Sequence, residues 1–390
     1  MEARTPPARR AVRSVEEGAM SVVVCLDKFR GSATAAQACA WLAAGIRAAG
    51  PGVPVVERPL ADGGEGTVEA LAAAGYSLVR ADVMGPVAGM TVSAAIAVRG
   101  SRAVVELAQA SGLALIPGGA PLTATTYGTG QLVRAALDLG CTQIVLAVGG
   151  SATTDGGAGL LTALGASVRD ASGAPLPPGG GHLADAASLD LSGLDPRVPS
   201  VDVVLASDVD NPLLGPDGAA RVFGPQKGAG PAQIERLEAG LARFADLMTA
   251  RTGKDHTATP GAGAAGGTGF AALAALAARP QQGSAFMLDE LDLPGLLRGA
   301  ALCVVGEGRF DGQSLRGKAP CAAASLASRA HVPVTLVAGE IALPEPDLAS
   351  LGITAAHSLL DVAETPRAAF ERTEALLHAI GERIGSDLTR

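Results

Sequence analysis

Aromatic side chains are scarce in this 390-residue sequence, which has one Trp, two Tyr and seven Phe, or 3% of its residues. Apolar residues nonetheless make up 48% of the chain, as expected for a globular protein with a substantial core. The core must therefore be built from Ala, Val, Leu and Ile, and we expect helices to pack closely on sheets through small side chains. The length predicts two or three domains.

The sequence also has no excess of positive charge. It contains 30 Lys and Arg against 38 Asp and Glu, which gives a formal net charge of -8. This balance excludes the broad basic surface of a nucleic-acid-binding protein, so we expect no nucleic-acid partner. A local basic pocket for a small anion is still compatible with it.

Signals for metal cages, disulfides and membrane spans are missing too. The five cysteines are dispersed, odd in number and without CxxC spacing, which predicts buried, reduced thiols in a cytoplasmic protein. The five histidines form no HExxH pair, which argues against zinc. The sequence contains no run of about 18 apolar residues, so we predict no membrane helix.

The first 20 residues are polar and rich in Arg, and they lack the apolar run of a signal peptide. Acidic residues offset the basic charge, so a transit peptide is not expected either. We predict that residues 1–20 form a disordered N-terminal extension and that Met20 is the physiological start.

The order of predicted elements indicates an α/β fold. Strands at 21–26 and 53–58 flank a helix that begins at the N-cap Thr34, with Gln37 as its capping-box partner. Residues 77–107 alternate short β-rich pieces with turns and predict an antiparallel meander. Later helices are predicted at 129–139, 232–252, 269–278 and 364–384, and later strands at 144–148, 201–206, 302–305, 334–337 and 353–358.

This order predicts two domains. Residues 21–81 and 290–390 would form a Rossmann-like domain with a parallel sheet. Residues 82–289 would form an inserted second α/β domain with a mixed sheet. The cleft between the two domains is the expected binding site.

Five polar segments share one placement, directly after the end of a predicted strand. They are DKFRGS, ADGGEG, GGSATTDGG, SDVDN and GEGRFDGQS. Ligands of open α/β sheets bind at the carboxyl ends of the strands, so these segments predict a single site.

Two glycine-rich segments are candidates for binding phosphate. GGSATTDGG would present backbone N–H groups and a helix N-terminus to an anion, through Gly149, Gly150, Ser151, Thr154, Asp155 and Gly156. A structural turn is the alternative, and the absence of GK[ST] argues against a P-loop. GAGAAGG formally contains GxGxxG, but no apolar strand precedes it. A loop closing over phosphates through Gly263, Gly266 and Gly267 fits better.

Phosphoryl transfer needs carboxylates to hold Mg²⁺ and to accept the hydroxyl proton, and cations to neutralise the transferred group. The candidate carboxylates are Asp62, Glu65, Asp155, Asp208, Asp210, Glu307 and Asp311. The candidate cations are Lys28, Arg30, Arg221, Lys227, Arg309, Arg316 and Lys318. For each one, a solvated surface charge is the alternative.

Taken in order along the chain, these segments resemble the bacterial-type glycerate kinase family (glycerate 2-kinase, type 1). The resemblance runs from residue 22 to about residue 338, through DKFRGSATA, RPLADGGEGT, ELAQASGL, YGTGQL, GGSATTDGGAG, SDVDNPLLG, GPQKGA, GAGAAGGTG and GEGRFDGQSLRGKAP. Three positions depart from the usual family pattern. Lys28 stands where Ser is usual, Arg30 where Lys is usual, and Thr154 where Asn is common.

The resemblance implies transfer of the γ-phosphate of ATP to D-glycerate with Mg²⁺, in an interdomain cleft. The implied product is 2-phosphoglycerate, with 3-phosphoglycerate as the open alternative. We expect catalytic roles for Asp208, Asp62, Asp311 and Lys227, and Mg²⁺ ligation by Asp208 and Asp210. We expect substrate binding by Lys28, Arg30, Arg309, Gln313 and Lys318, with the two glycine-rich loops holding ATP.

Two other functions remain to be weighed. GAGAAG alone would support a dinucleotide-dependent oxidoreductase acting on a hydroxy acid. The glycine loops and cations would also suit a non-catalytic protein that binds an organic acid. The sequence leaves open which domain holds ATP and whether the protein is a monomer or a homodimer.

Overall fold

The computed structural model describes residues 21–390, so the predicted extension at residues 1–20 lies outside the described residues, as does the side chain of Arg316. The strands are β1 (Val22–Leu26), β2 (Val55–Glu57), β3 (Ser77–Met84), β4 (Thr91–Arg99), β5 (Arg102–Glu106), β6 (Gln143–Ala147), β7 (Ser167–Asp170), β8 (Ala186–Asp190), β9 (Asp202–Ala206), β10 (Arg279–Gln281), β11 (Leu302–Gly306), β12 (Arg309–Phe310), β13 (Val334–Ala338), β14 (Glu340–Ile341) and β15 (Ile353–Ser358). The α-helices are α1 (Ala35–Ala49), α2 (Thr67–Ala73), α3 (Ala108–Ser111), α4 (Tyr127–Asp138), α5 (Ala158–Ala163), α6 (Ala219–Phe223), α7 (Pro231–Thr252), α8 (Ala264–Ala275), α9 (Gly283–Glu290), α10 (Leu293–Leu297), α11 (Ala319–Arg329), α12 (Glu345–Ser350), α13 (Leu359–Val362), α14 (Pro366–Glu371) and α15 (Thr373–Leu388).

The first sheet is wholly parallel, with five strands in the order β15–β13–β11–β1–β2. β1 is buried on both faces. Val22, Val24 and Leu26 pack against α1 and α15, whereas Val23 and Cys25 face the interior of the molecule. A strand covered on both sides needs apolar residues throughout, which explains the unbroken apolar run in the sequence.

The second sheet has six strands in the order β10–β9–β6–β5–β4–β3. β10, β9, β6 and β5 run parallel, and β5, β4 and β3 form an antiparallel meander. The predicted meander and the predicted α/β fold with one parallel and one mixed sheet are therefore confirmed.

A shared apolar layer joins the two sheets. Val23 and Cys303 of the parallel sheet, Ala97 and Val145 of the mixed sheet, and Phe286 of α9 belong to the same buried cluster. β3 begins at Ser77 and already belongs to the mixed sheet. The proposed domain limits of 21–81 with 290–390, and 82–289, stay a prediction.

The scarcity of aromatics has a visible consequence where α1 lies against α15. A Cβ on Gly45 would lie 2.0 Å from the carbonyl oxygen of His378, and one on Gly381 would lie 2.3 Å from that of Leu42. The two helices therefore approach at backbone distance, as the small-residue composition predicts.

The N-cap of α1 is as predicted, since Thr34 accepts from the Gln37 amide while the Gln37 side chain accepts from the Thr34 amide. Two other helix predictions were wrong in extent. α8 begins at Ala264 and contains left-handed residues from Ala265 to Gly267, which the pattern did not show. The predicted last helix is two helices, because Arg372 has a non-helical φ of -114° between α14 and α15.

Within residues 21–390, no helix has the length and apolar content to cross a membrane. The five cysteines are all buried and form no disulfide.

Candidate active site

Two cavities meet at the carboxyl ends of both sheets. The first has a volume of about 300 Å³ and lies among the loops after β2, β6 and β9. The second, of about 480 Å³, lies over the ends of β1, β11 and β13. Lys28, Arg30 and Asp62 line both cavities, so the two form one continuous cleft. We refer to them below as the first cavity and the second cavity.

Glycines bring the two sheet edges into contact at this cleft. The Gly149 amide donates to the Gly63 carbonyl at 3.0 Å. A Cβ on Gly149 would lie 2.5 Å from the Cα of Gly64, closer than any side chain allows. The GG of the ADGGEG segment and the GG of the GGSATTDGG segment are therefore needed to join the loops after β2 and β6.

Asp208 follows β9 and lines the first cavity. Both of its carboxylate oxygens accept from the Ser284 amide, at 3.0 and 3.1 Å, and the Ser284 hydroxyl donates at 3.1 Å. Burial raises the pKa of Asp208 to about 6, the bonds from Ser284 oppose this, and the nearby Asp62 carboxylate adds to the rise. A carboxylate with a pKa near neutrality is suited to accept a proton from a hydroxyl.

Lys227 lines the same cavity and is almost wholly buried. Its Nζ donates to the Ser151 hydroxyl at 3.0 Å and to the Thr153 carbonyl at 2.6 Å. Burial lowers the pKa of Lys227 to about 7, and the charge of Asp155 opposes this. A protonated amine has three N–H donors, so one remains for a ligand in the cavity.

The junction of the cavities is acidic as well as basic. The pKa of Asp27 is raised to about 7, chiefly by burial; the charge of Lys28 opposes the rise, and the charges of Asp62 and Glu307 contribute to it. Asp27 lines the second cavity and was missed by the sequence reasoning, although it opens the DKFRGS segment directly after β1. Its position at a strand end is the signal that could have found it.

The remaining candidates for substrate binding gather in the second cavity. Arg309, Asp311, Gln313 and Lys318 all line it. Arg309 is paired with Asp311 at 3.4 Å and with Glu340 at 3.6 Å. Lys318 is held by Glu307 at 3.0 Å. The first cavity thus brings together five of the predicted residues: Asp62, Asp208, Lys227, Lys28 and Arg30. The second cavity brings together Arg309, Asp311, Gln313 and Lys318.

The first half of the predicted phosphate loop faces the cleft, whereas the second half lies behind it. Gly149, Gly150 and Ser151 line the first cavity. Thr154, Asp155 and Gly156 are buried and line neither cavity. The Asp155 carboxylate accepts from the Thr126 hydroxyl at 2.9 Å and from the amides of Thr126, Gly157 and Gly159. Its geometry is that of a residue that fixes the loop.

The GAGAAGG segment is placed in the same way. Gly263, Gly266 and Gly267 are buried, and a Cβ on Gly266 would lie 2.0 Å from the Thr153 carbonyl. Ala264 and Ala265 line the first cavity in their stead. The segment supports the loop around Thr153 and does not join a strand to a helix, so the geometry gives no support to a dinucleotide fingerprint.

Asp210 is exposed and lines none of these cavities. Residues 21–390 contain no group of three or more His, Cys, Asp or Glu side chains that could cage a metal ion. Mg²⁺ is usually held by one or two carboxylates together with substrate phosphates. Asp62 and Asp208 fit that requirement, because both line the first cavity and the charge of Asp62 helps to raise the pKa of Asp208, a cost that a divalent cation would relieve.

Strand-edge carboxylates, a buried amine and backbone amides around a cleft define an α/β enzyme that binds an anionic ligand. The sequence matches the family model described as the glycerate kinase family over residues 22–389. It is 39% identical over 374 residues to a glycerate kinase of Bacillus subtilis (strain 168). This match covers 95% of this chain and 98% of the relative.

It is also 41% identical over 346 residues to a glycerate 2-kinase of Escherichia coli (strain K12), covering 87% of this chain and 91% of the relative. A crystal structure from Salmonella typhimurium LT2, of a protein provisionally assigned as glycerate kinase 2, has a TM-score of 0.80 and 39% identity. It covers 95% of this chain and 98% of that one. The chain therefore belongs to the glycerate kinase family, and it is a kinase.

Proposed function

We propose that this enzyme transfers the γ-phosphoryl group of ATP to the 2-hydroxyl of D-glycerate with Mg²⁺, and so releases 2-phosphoglycerate and ADP. The observation that carries the proposal is that one cavity is lined both by Asp208, which Ser284 holds, and by the buried amine of Lys227. The 2-hydroxyl is favoured because a relative with 41% identity is named glycerate 2-kinase.

Asp208 accepts the proton of the glycerate hydroxyl while that oxygen forms its bond to the γ-phosphorus. The bond between the γ-phosphorus and its bridging oxygen breaks, and the electron pair leaves with ADP. Lys227, Lys28 and Arg30 stabilise the negative charge on the transferred group. Asp62 would hold Mg²⁺ together with phosphate oxygens, and the ion would neutralise the charge that builds up on them.

Arg309, Gln313 and Lys318 stay the predicted contacts to the outer part of the substrates, since they line the second cavity. Asp311 is tied into the same loop by its ion pair with Arg309. Closure of the cleft would exclude water, which otherwise competes with the glycerate hydroxyl for the phosphoryl group. A cytoplasmic location, and either a monomer or a homodimer, stay predictions.

The test combines purified protein with Mg-ATP, D-glycerate and enolase. Phosphoenolpyruvate formed without an added mutase would support both the kinase activity and the 2-hydroxyl as acceptor. Glycerate-dependent ADP without phosphoenolpyruvate would point to 3-phosphoglycerate. Folded protein that forms no glycerate-dependent ADP would overturn the proposal.

A further inference from the structure

The second cavity has a wall that the proposed chemistry does not use. α13, α14 and the segment between them supply an apolar face made of Leu359, Leu360, Pro366, Ala369 and Phe370. The opposite side carries the charged groups of the loops after β1 and β11. A cavity with one apolar wall and a few convergent charges is typical of a site for a ligand with a planar apolar part and an anionic part.

Phe370 is the notable member of this wall. It is 53% exposed, and no large apolar side chain within residues 21–390 is more exposed. Five of the seven phenylalanines are buried, and the other two each line one cavity, Phe223 the first and Phe370 the second. In a chain so poor in aromatics, an aromatic ring left at a cavity points to a flat partner that covers it.

The helix that carries Phe370 is held at both ends. Thr365 caps the start of α14, and the hydroxyl of Thr373 donates to the carbonyls of Ala369 and Phe370. The ring lies over Gly31, where a Cβ would be 3.0 Å from the nearest ring carbon and where φ is +82°. The glycine of the DKFRGS segment thus makes room for the ring beside the loop that carries Arg30.

Cations extend from this wall towards the first cavity. Lys318 lies on the second cavity, and Lys28 and Arg30 line both cavities. Within residues 21–390, neither Lys28 nor Arg30 forms an ion pair with a carboxylate. The Lys28 ammonium donates to the Glu65 carbonyl at 2.8 Å and keeps two N–H donors for phosphate oxygens. Asp62 also lines both cavities and Asp208 lines the first, so phosphates that pass from the Phe370 wall into the first cavity approach both carboxylates.

The two cavities differ in what they can hold. The first, of about 300 Å³, contains Asp208 and Lys227 and suits a three-carbon hydroxy acid. The second, of about 480 Å³, is within the usual range for a larger organic ligand.

We infer that the nucleobase and ribose of the nucleoside triphosphate bind in the second cavity, with the base stacked on Phe370, while its phosphates pass Lys318 to Lys28 and Arg30. This inference rests on the proposed function, and it assigns the nucleotide to the parallel-sheet part of the chain. The glycine-rich loop at Gly149–Ser151 then receives the terminal phosphate and not the base.

The test compares Phe370→Ala with Phe223→Ala and with Leu139→Ala, a control at a 48% exposed apolar residue that lines neither cavity. Calorimetry measures the Kd of Mg-AMP-PNP and of Mg-tripolyphosphate, which has the phosphates but no base. Steady-state kinetics give KM for ATP and for D-glycerate. Thermal melting confirms that each variant is folded.

We expect Phe370→Ala to weaken AMP-PNP about tenfold or more, because base–aromatic stacking is worth that much, and to leave tripolyphosphate within about twofold. KM for ATP should rise in parallel while KM for glycerate stays within about twofold. Phe370→Trp should retain affinity, and its fluorescence should change when AMP-PNP binds. This second variant decides the question should Phe370→Ala not fold.

An unchanged Kd for AMP-PNP in Phe370→Ala would overturn the inference, as would a loss confined to Phe223→Ala, which would place the base in the first cavity. Absence of AMP-PNP binding to the wild type would overturn it too. Binding that depends on Phe370 without glycerate-dependent turnover would overturn the proposed function alone. If the enzyme turns over glycerate and Phe370→Ala does not change its affinity for AMP-PNP, this inference alone is overturned.

Discussion

The amide and the hydroxyl of Ser284 both donate to the carboxylate of Asp208, across 76 residues of sequence. Ser284 lies in the first turn of α9, so the bond joins the end of β9 in the mixed sheet to a helix of the layer between the sheets. The carboxylate of Asp208, the candidate base, is therefore held by a residue of α9 and not by a residue of its own loop. Such a carboxylate is held in one orientation before the substrate arrives.

Replacement of Asp208 by Asn should lower kcat by about 10²- to 10⁴-fold, the range usual for loss of a general base. The fold should persist, because Asn keeps an oxygen that accepts from Ser284. Initial rates of ADP release with saturating glycerate measure the effect.

The comparison variant is Asp210→Asn, two residues further on. Its side chain is exposed and lines none of the cavities, so the geometry predicts activity near that of the wild type. Equal losses in the two variants would restore the hypothesis that both residues hold Mg²⁺. Near-normal turnover in Asp208→Asn would remove Asp208 from the chemistry.

Replacement of Ser284 by Ala should change the pH dependence of the reaction. The hydroxyl bond favours the ionised form of Asp208, whose pKa is about 6, so its loss raises that pKa. A base works only when deprotonated, so kcat/KM falls below the pKa, and in the variant this fall should begin at higher pH. The profile of kcat/KM from pH 5 to 9 measures this shift of its acid limb, the side on which activity falls as the pH decreases. Ser284→Thr keeps the hydroxyl and should restore the acid limb of the wild type. An acid limb that stays in place would show that Ser284 has only a structural role.

Ser284 also marks where prediction from the sequence ends. The placement of Asp62, Asp208 and the Gly149 loop at one cleft could be predicted, because the carboxyl ends of parallel strands converge and apolar runs reveal those ends. Nothing in GSAFM, the segment around Ser284, announces a partner 76 residues earlier, because that contact depends on how α9 packs between the sheets. Close helix packing could be predicted from the shortage of aromatics, whereas the break at Arg372 could not.

The glycine-rich loops show a second limit. Glycines that open a backbone to a phosphate and glycines that let two loops touch are the same residues in the sequence. Only the structure distinguishes Gly150, which lines the first cavity, from Gly266, which lies against the Thr153 carbonyl. Residue types therefore predict the neighbourhood of the site, and packing decides which members reach the ligand.

The free energy of unfolding of the wild type should depend on pH through Lys227, and this dependence should be absent from the Lys227→Met variant. Its pKa is lowered to about 7 in the fold, whereas an unfolded lysine keeps its proton until about pH 10.4. Between these values the unfolded state binds more protons, so the free energy of unfolding rises with pH, by up to about 1.4 kcal/mol per pH unit. Below pH 7 the contribution is constant.

Urea unfolding of wild type and Lys227→Met at pH 6, 7, 8 and 9 measures this contribution as a difference, which cancels the other titrating groups. The wild type should gain relative to the variant from pH 7 upwards. A difference that does not vary with pH would mean that Lys227 keeps its charge in the fold. Turnover should fall in the variant at every pH, since methionine lacks the amino group that donates to Ser151 at the first cavity.

Gly266→Ala tests whether the GAGAAGG segment has a structural role. The residue has φ of +65°, and a Cβ would lie 2.0 Å from the Thr153 carbonyl, so the segment must move away from the loop after β6. Gly100→Ala is the matched control, because its φ is +61° and a Cβ there meets nothing within 4 Å. Left-handed backbone alone costs about 1–2 kcal/mol for alanine, so Gly100→Ala reports that cost.

The loss of unfolding free energy should be larger for Gly266→Ala than for Gly100→Ala, because a backbone carbonyl cannot give way as a flexible side chain can. Activity should fall with it, since the displaced loop carries Ser151 and the partners of Lys227. Equal losses of stability in the two variants, with activity lost only in Gly266→Ala, would instead support direct contact between this glycine and a phosphate.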